Sequence, residues 1–169
     1  MQIDRLSLRG FRNYEDAQAQ FVPGANLLVG GNANGKTNLL EAVSYLSTGR
    51  SFRTRREAEL IRFGADFAEL RAQVQSQERT RELRAVLFSG RRPRQLWLAG
   101  VRQRSRAALS GVLTSVLFCP EDLMILKKGA SGRRRLMDGV ICQLRPCYGA
   151  VLAEYGRLLD RKSALLRER

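Results

Sequence analysis

Histidine does not occur in this chain, and its three cysteines, Cys119, Cys142 and Cys147, include no CxxC pair. Those two gaps exclude a structural zinc site, which draws its ligands from closely spaced Cys and His. The odd cysteine count without a secretory start points to reduced thiols and a cytoplasmic location. Met1-Gln2-Ile3-Asp4-Arg5 is no signal peptide. No apolar run approaches the ~20 residues of a bilayer span, so no membrane partner is expected. Repeats, low-complexity tracts and Pro/Ser-rich linkers are also missing.

Acidic residues are scarce. Thirty Lys and Arg stand against 16 Asp and Glu, a net charge of +14 over 169 residues. Residues 1–48 are balanced at four of each sign, so the excess lies in 49–169, with 26 basic and 12 acidic groups. A surface of that kind attracts polyanions, nucleic acid first. Only four of the thirty are lysine, and heavy arginine use also reflects genome composition.

What is present is a phosphate loop. Gly30-Gly31-Asn32-Ala33-Asn34-Gly35-Lys36-Thr37 fits GxxxxGK(S/T), with Asn38 opening the helix behind it. The glycines let backbone N–H groups close around phosphates, Lys36 reaches the β- and γ-phosphates, and the Thr37 hydroxyl ligates Mg²⁺. ATP and Mg²⁺ are the expected cofactors. Ala25-Asn26-Leu27-Leu28-Val29 reads as a buried strand leading in, and 38–46 as a helix leading out that stops near Gly49. The bland alternative is a merely Gly-rich turn. Alanine at position 33 costs about 1 kcal/mol if the loop needs a positive φ there.

Ile3, Leu6 and Leu8 predict a first strand ending at Gly10; Tyr14, Ala17, Ala19 and Phe21 predict a second. Period-two runs at 70–74, 83–87 and 96–98, with a turn at Gly90-Arg91-Arg92-Pro93, predict an antiparallel meander. Thr114 to Cys119 reads as another buried strand. From Pro120 the spacing turns helical, with Pro146 separating a face at Leu136, Val140, Ile141 and Leu144 from one at Val151 to Leu159. These elements predict an ATP-binding α/β lobe over 1–119 and the start of a helical lobe over 120–169, broken off inside a helical pattern.

Several ordered blocks carry a family likeness: Leu8-Arg9-Gly10-Phe11-Arg12-Asn13-Tyr14; Thr37-Asn38-Leu39-Leu40-Glu41-Ala42; Gly49-Arg50-Ser51-Phe52-Arg53-Thr54; Leu60-Ile61-Arg62-Phe63-Gly64; Phe118-Cys119-Pro120-Glu121-Asp122-Leu123; Arg133-Arg134-Arg135 with Asp138; and Arg161-Lys162-Ser163-Ala164-Leu165-Leu166. In this order they resemble the N-terminal part of the RecF family, bacterial recombination-repair ATPases of the SMC/ABC-like class. The resemblance implies a P-loop NTPase with an ABC-ATPase-like head, a mixed sheet and a helical lobe, truncated here. It further implies a slow ATPase that sandwiches ATP in a head-to-head dimer and binds single- and double-stranded DNA at gaps. The family aids RecA loading with RecO and RecR in replication, recombination, repair and the SOS response. Its Ser-Gly-Gly-Gln-like signature loop and Walker B carboxylates have no counterpart in 1–169, so whether this piece is itself an enzyme is left open, with weak nucleotide binding and little hydrolysis expected.

Candidate DNA contacts are Arg53, Arg55 and Arg56; Arg91, Arg92 and Arg94; and Arg102, Arg104 and Arg106. Arg133-Arg134-Arg135 is a fourth group, unless it packs against Asp138. Arg12, Asn13 and Arg53 are weaker candidates for phosphate contacts, with solvated or sheet-capping roles equally open. Glu121 is the weak catalytic candidate, orienting the metal or a water, or else a helix N-terminal acid after Pro120. A complete small-molecule P-loop kinase is the alternative function, and a DNA-binding module with a structural loop is a third.

Overall fold

The computed structural model describes residues 1–76, 79–106, 109, 111–124 and 129–167, of which the side chains of 121 and 124 are not described. The chain divides into two compact units, Met1–Leu117 and Phe118–Arg169. In the first, strands β1 (Gln2–Phe11), β2 (Tyr14–Gln20), β3 (Phe67–Ser76), β4 (Arg79–Phe88), β5 (Gln95–Leu98) and β6 (Val101–Gln103) form one sheet. Its order is β2-β1-β3-β4-β5-β6, and every neighbouring pair is antiparallel.

Side chains of a strand alternate between faces, and the burial of β3 and β4 follows that rule closely. Leu70, Ala72 and Val74 are buried, paired with Ala85, Leu83 and, near the start of β4, the exposed Arg81, while Arg71 and Gln73 between them are exposed. The inner face is covered by helix α1 (Lys36–Thr48), which buries Ala42, Tyr45 and Leu46 against it. The helix ends where expected. Gly49, at φ 67°, donates its N–H to the Tyr45 carbonyl at 2.7 Å, a left-handed cap that suits glycine. The Tyr45 hydroxyl donates to Glu57 Oε1 at 2.8 Å, and Arg94 pairs with the same carboxylate. Burial and then the Glu57 charge push the Tyr45 phenol well above its ordinary value, so it stays a neutral donor.

The first two strands, the meander and the α1 boundary agree with the pattern of apolar residues. Two expected strands are absent. Residues 25–29 form no strand, and Leu27 and Val29 are 87% and 83% exposed. Instead the Asn26 side chain closes a loop, accepting from Val22 N–H at 3.0 Å and donating to the Val22 carbonyl at 2.9 Å. A strand persists only where a neighbour takes its backbone groups, and among the described residues 25–29 have none. Residues 114–119 are irregular as well, with Val116 fully exposed. Ser115 Oγ donates to Ser47 Oγ of α1 at 2.9 Å, and Ser47 donates to the Leu113 carbonyl at 2.9 Å, so side-chain bonds rather than a ladder hold this segment. β6 is an addition that the pattern did not reveal, since Val101-Arg102-Gln103 is too short for a period.

The second unit holds helices α2 (Ala130–Leu144) and α3 (Pro146–Arg167). Proline opens α3, where its missing N–H is harmless. Asp138 accepts from the Tyr148 hydroxyl at 2.7 Å and so ties the two helices. Leu136, Val140, Leu144, Val151, Leu158 and Leu165 remain exposed.

Leu70 on the central strand β3 is fully buried. Leu70→Ala is expected to cost about 2–5 kcal/mol of stability, read from the urea midpoint of the intact protein. A loss below about 1 kcal/mol would show that this face is not the core.

Candidate functional site

The loop between the exposed 25–29 segment and α1 has a defined backbone. Gly35 is the N-terminal cap of α1 at φ 90°. A Cβ there would stand 2.7 Å from Asn13 Nδ2 and 2.9 Å from the Tyr14 ring, so both dihedral and space require glycine. Tyr14 OH donates to the Gly35 carbonyl at 3.1 Å, pinning the cap to β2. Ala33 takes φ 64°, the conformation the sequence made costly for alanine, and stores about 1 kcal/mol of strain in the loop.

Two features of the loop concern charge. The cap makes no side-chain hydrogen bond and the first turn of α1 holds no acid, so the helix N-terminus keeps its positive end open. Lys36 Nζ donates to the carbonyls of Gly30 at 2.8 Å and Gly31 at 2.6 Å, an ammonium folded onto its own loop. Thr37 is exposed at the helix start, and Asn32 and Asn34 are exposed in the loop.

Behind the loop lies a network that ties three remote segments together. Glu41, on the second turn of α1, is fully buried. Arg12 Nε and Nη2 donate to its two oxygens at 2.9 and 2.7 Å, a bidentate pair. Ser51 Oγ donates to Oε1 at 2.5 Å, and Arg53 Nη1 donates to Oε2 at 3.3 Å. Arg53 Nη1 also donates to Asn38 Oδ1 at 2.6 Å, and Asn38 Nδ2 donates to Asn13 Oδ1 at 2.7 Å. Arg12 itself sits at φ 52° and donates from Nη1 to the Glu59 carbonyl at 2.7 Å. The carboxylate is committed on both oxygens, which leaves it no role as metal ligand or base.

Thus Arg12 faces Glu41, while Asn13 and Arg53 border the loop through Asn38. Sequence reasoning passed over Glu41. The signal was there: it falls four residues before Tyr45 on the helix face that packs inward, where an unpaired carboxylate cannot stay.

The arginine clusters are spread over the first unit. Arg55 and Arg56 are exposed, and so are Arg91 and Arg92 in the β4–β5 turn, with Arg92 4.2 Å from the Phe88 ring centroid. Arg94 is half-buried against Glu57. Arg102 on β6 and Arg104 beyond it are exposed, while the Arg106 side chain lies over Gly49. The side chain of Glu121 lies outside the described residues; its neighbour Asp122 accepts the Cys119 N–H at 2.8 Å.

Replacing Glu41 by Gln strands two guanidinium groups beside a neutral amide. The expected cost is about 3–5 kcal/mol in chemical unfolding, as for other broken buried ion pairs. An unfolding midpoint equal to the wild type would show that the charge holds nothing.

Residues 2–92, more than half of the chain, match the RecF/RecN/SMC N terminal domain family. The DNA replication and repair protein RecF of Symbiobacterium thermophilum is 41% identical over 169 residues, covering 99% of this chain and 44% of the relative. The protein of the same name from Acidothermus cellulolyticus is 41% identical over 167 residues, covering 99% and 45%. The chain therefore spans less than half the length of these relatives. Among solved structures, the recombination mediator protein RecF-ATPrS in the RecFOR pathway superposes with a TM-score of 0.93 at 30% identity, over 99% of this chain and 45% of the other. The SMC head domain from Thermotoga maritima superposes with a TM-score of 0.52 at 20% identity, over 62% and 39%, and shows the shared fold. The α/β head with its phosphate loop, the antiparallel sheet and the residues matched agree: the chain belongs to the RecF/RecN/SMC N-terminal domain family.

Proposed function

We propose that this chain is the nucleotide-holding part of a RecF-like, ATP-dependent DNA-binding protein of replication and recombinational repair. The observation that carries the reading is Lys36, folded onto the carbonyls of Gly30 and Gly31 beside an uncapped helix start. A phosphate chain fits that arrangement. Backbone N–H groups of 31–37 and the end of α1 bind the anion, and the Lys36 ammonium exchanges carbonyl partners for phosphate oxygens. The Thr37 hydroxyl is the residue that would hold Mg²⁺, which would supply positive charge to offset that of the phosphates. The likeness to structures of RecF with ATP and RecF-ATPrS supports the nucleotide.

Hydrolysis needs a carboxylate that places the metal and a group that orients water. Glu41 is spent on Arg12, Arg53 and Ser51, and in this reading the phosphate loop binds and orients the nucleotide while a second head supplies the water-activating groups. That division fits a nucleotide shared between two heads, with binding favouring the closed dimer through its higher affinity for that state. DNA would be held by exposed arginines, Arg55, Arg56, Arg91, Arg92, Arg102 and Arg104 among the candidates, through phosphates and without sequence preference. RecO, RecR and RecA as partners in gap repair, and a cytoplasmic location, follow from the family likeness. A small-molecule kinase is not favoured, because the relatives at about 40% identity are repair proteins.

Lys36→Ala is expected to weaken ATP binding at least about 100-fold, read by titration with a fluorescent nucleotide, the loss of two charge-assisted bonds. Equal affinity would sink the nucleotide site. DNA affinity of the intact protein is expected to fall about 1000-fold or more between 50 and 200 mM salt if six or more phosphates are contacted. A flat salt response would rule out the electrostatic account.

A further inference from the structure

The face of the sheet turned away from α1 carries an ordered array that the charge clusters in the sequence do not reveal. Ser7 pairs with Arg71, Arg71 with Arg84, Arg84 with Trp97, and Trp97 with Arg102. Directly opposed residues project from the same face, so one row crosses from β1 to β6. The Arg84 guanidinium lies 4.5 Å from the Trp97 ring centroid. A second row runs beside the first. Phe67 pairs with Phe88, Arg9 lies 5.6 Å from the Phe67 centroid, and Arg92 lies 4.2 Å from that of Phe88. Glu69 sits between the rows and accepts from both Arg71 and Arg84. Burial raises its pKa and those two bonds outweigh it, leaving the carboxyl below its ordinary value and charged.

We propose that this arginine–aromatic face is a binding surface for single-stranded nucleic acid. The inference rests on the DNA-binding reading above and assigns it a place. Charge is the first argument: Arg5, Arg9, Arg71, Arg84, Arg92 and Arg102 outnumber Asp16, Glu69 and Glu82 on the face. The second is the mixture. Phe67, Phe88 and Trp97 are half-buried on an open sheet face, and flat aromatic surface beside arginine is what unpaired bases and their backbone use. A duplex keeps its bases stacked inside and has no use for those rings. The third is span. Three strand intervals separate Arg71 from Arg102, about 14 Å at the ordinary strand spacing, which a short run of nucleotides covers.

The test uses the intact protein and oligo-dT. Binding of the oligonucleotide is expected to quench a tryptophan signal that the Trp97→Phe variant lacks, since phenylalanine preserves the stack under Arg84. Arg71→Gln with Arg102→Gln is expected to weaken oligo-dT binding about ten-fold at low salt. The salt slope should flatten by about 1.4, two phosphate contacts at the single-strand value. ATP affinity should stay unchanged, because neither residue touches the loop, and melting temperature should fall only slightly, because Arg84 still pairs with Glu69. Wild-type affinity and slope in the double variant would overturn the assignment, as would oligo-dT binding without Trp97 quenching. Equal competition by a duplex of the same length, or by poly-glutamate, would overturn it in favour of another polyanion. Failure of the wild type to bind any DNA, with ATP binding intact, would sink the DNA reading itself.

Discussion

A carboxylate taken out of water must be met by groups that replace its hydration, and Glu41 is met on every side. Arg12 reaches it from the end of β1, Ser51 and Arg53 from the segment after α1, and the helix itself brings it beneath the phosphate loop. Each partner is also anchored elsewhere: Arg12 on the Glu59 carbonyl, Arg53 on Asn38. The desolvation of a charge is recovered only when geometry is good and the remaining lone pairs are filled. That demand fixes the relation between β1, α1 and the 50–56 segment more tightly than apolar contact would. The loop inherits its position from this arrangement, because Asn13 and Tyr14, the residues next to Arg12, are the ones that wall in Gly35.

The sheet and helix were legible because their burial follows a simple period. Leu6 and Leu8 and Leu70 to Val74 alternate, Leu83 to Leu87 does so apart from the buried Val86, and Gly49 supplies an unmistakable stop. The loop was legible because its chemistry demands glycines and a lysine at fixed offsets. Residues 25–29 and 114–119 were misread because apolar character reports that a segment needs covering and does not say by what. Among the described residues, neither segment has a strand beside it. Glu41 was missed for the opposite reason: charge in a helix is ordinarily a solvated face, and only the packing of Ala42 and Tyr45 places it inside.

Arginine in this chain has three separate uses that composition alone merges. Arg12 and Arg53 neutralise a buried acid. Arg9, Arg84 and Arg92 lie over aromatic rings, a setting that suits a weakly hydrated guanidinium better than an ammonium. Arg55, Arg56 and Arg104 stay in solvent. Runs along the sequence, such as Arg91-Arg92-Arg94, are split between these uses: Arg92 stacks, Arg94 pairs with Glu57. Cross-strand register, not sequence proximity, decides which cations act together.

The bond between Arg12 and Glu41 joins residues 29 apart, and Arg12 reaches residue 59 as well. Closing such stretches of chain costs loop entropy that the contact itself must offset. The phosphate loop is local in sequence, yet its floor is assembled from three distant pieces. Its shape therefore depends on β1, α1 and the 50–59 segment all being in place, so a disturbance in any one of them reaches the loop.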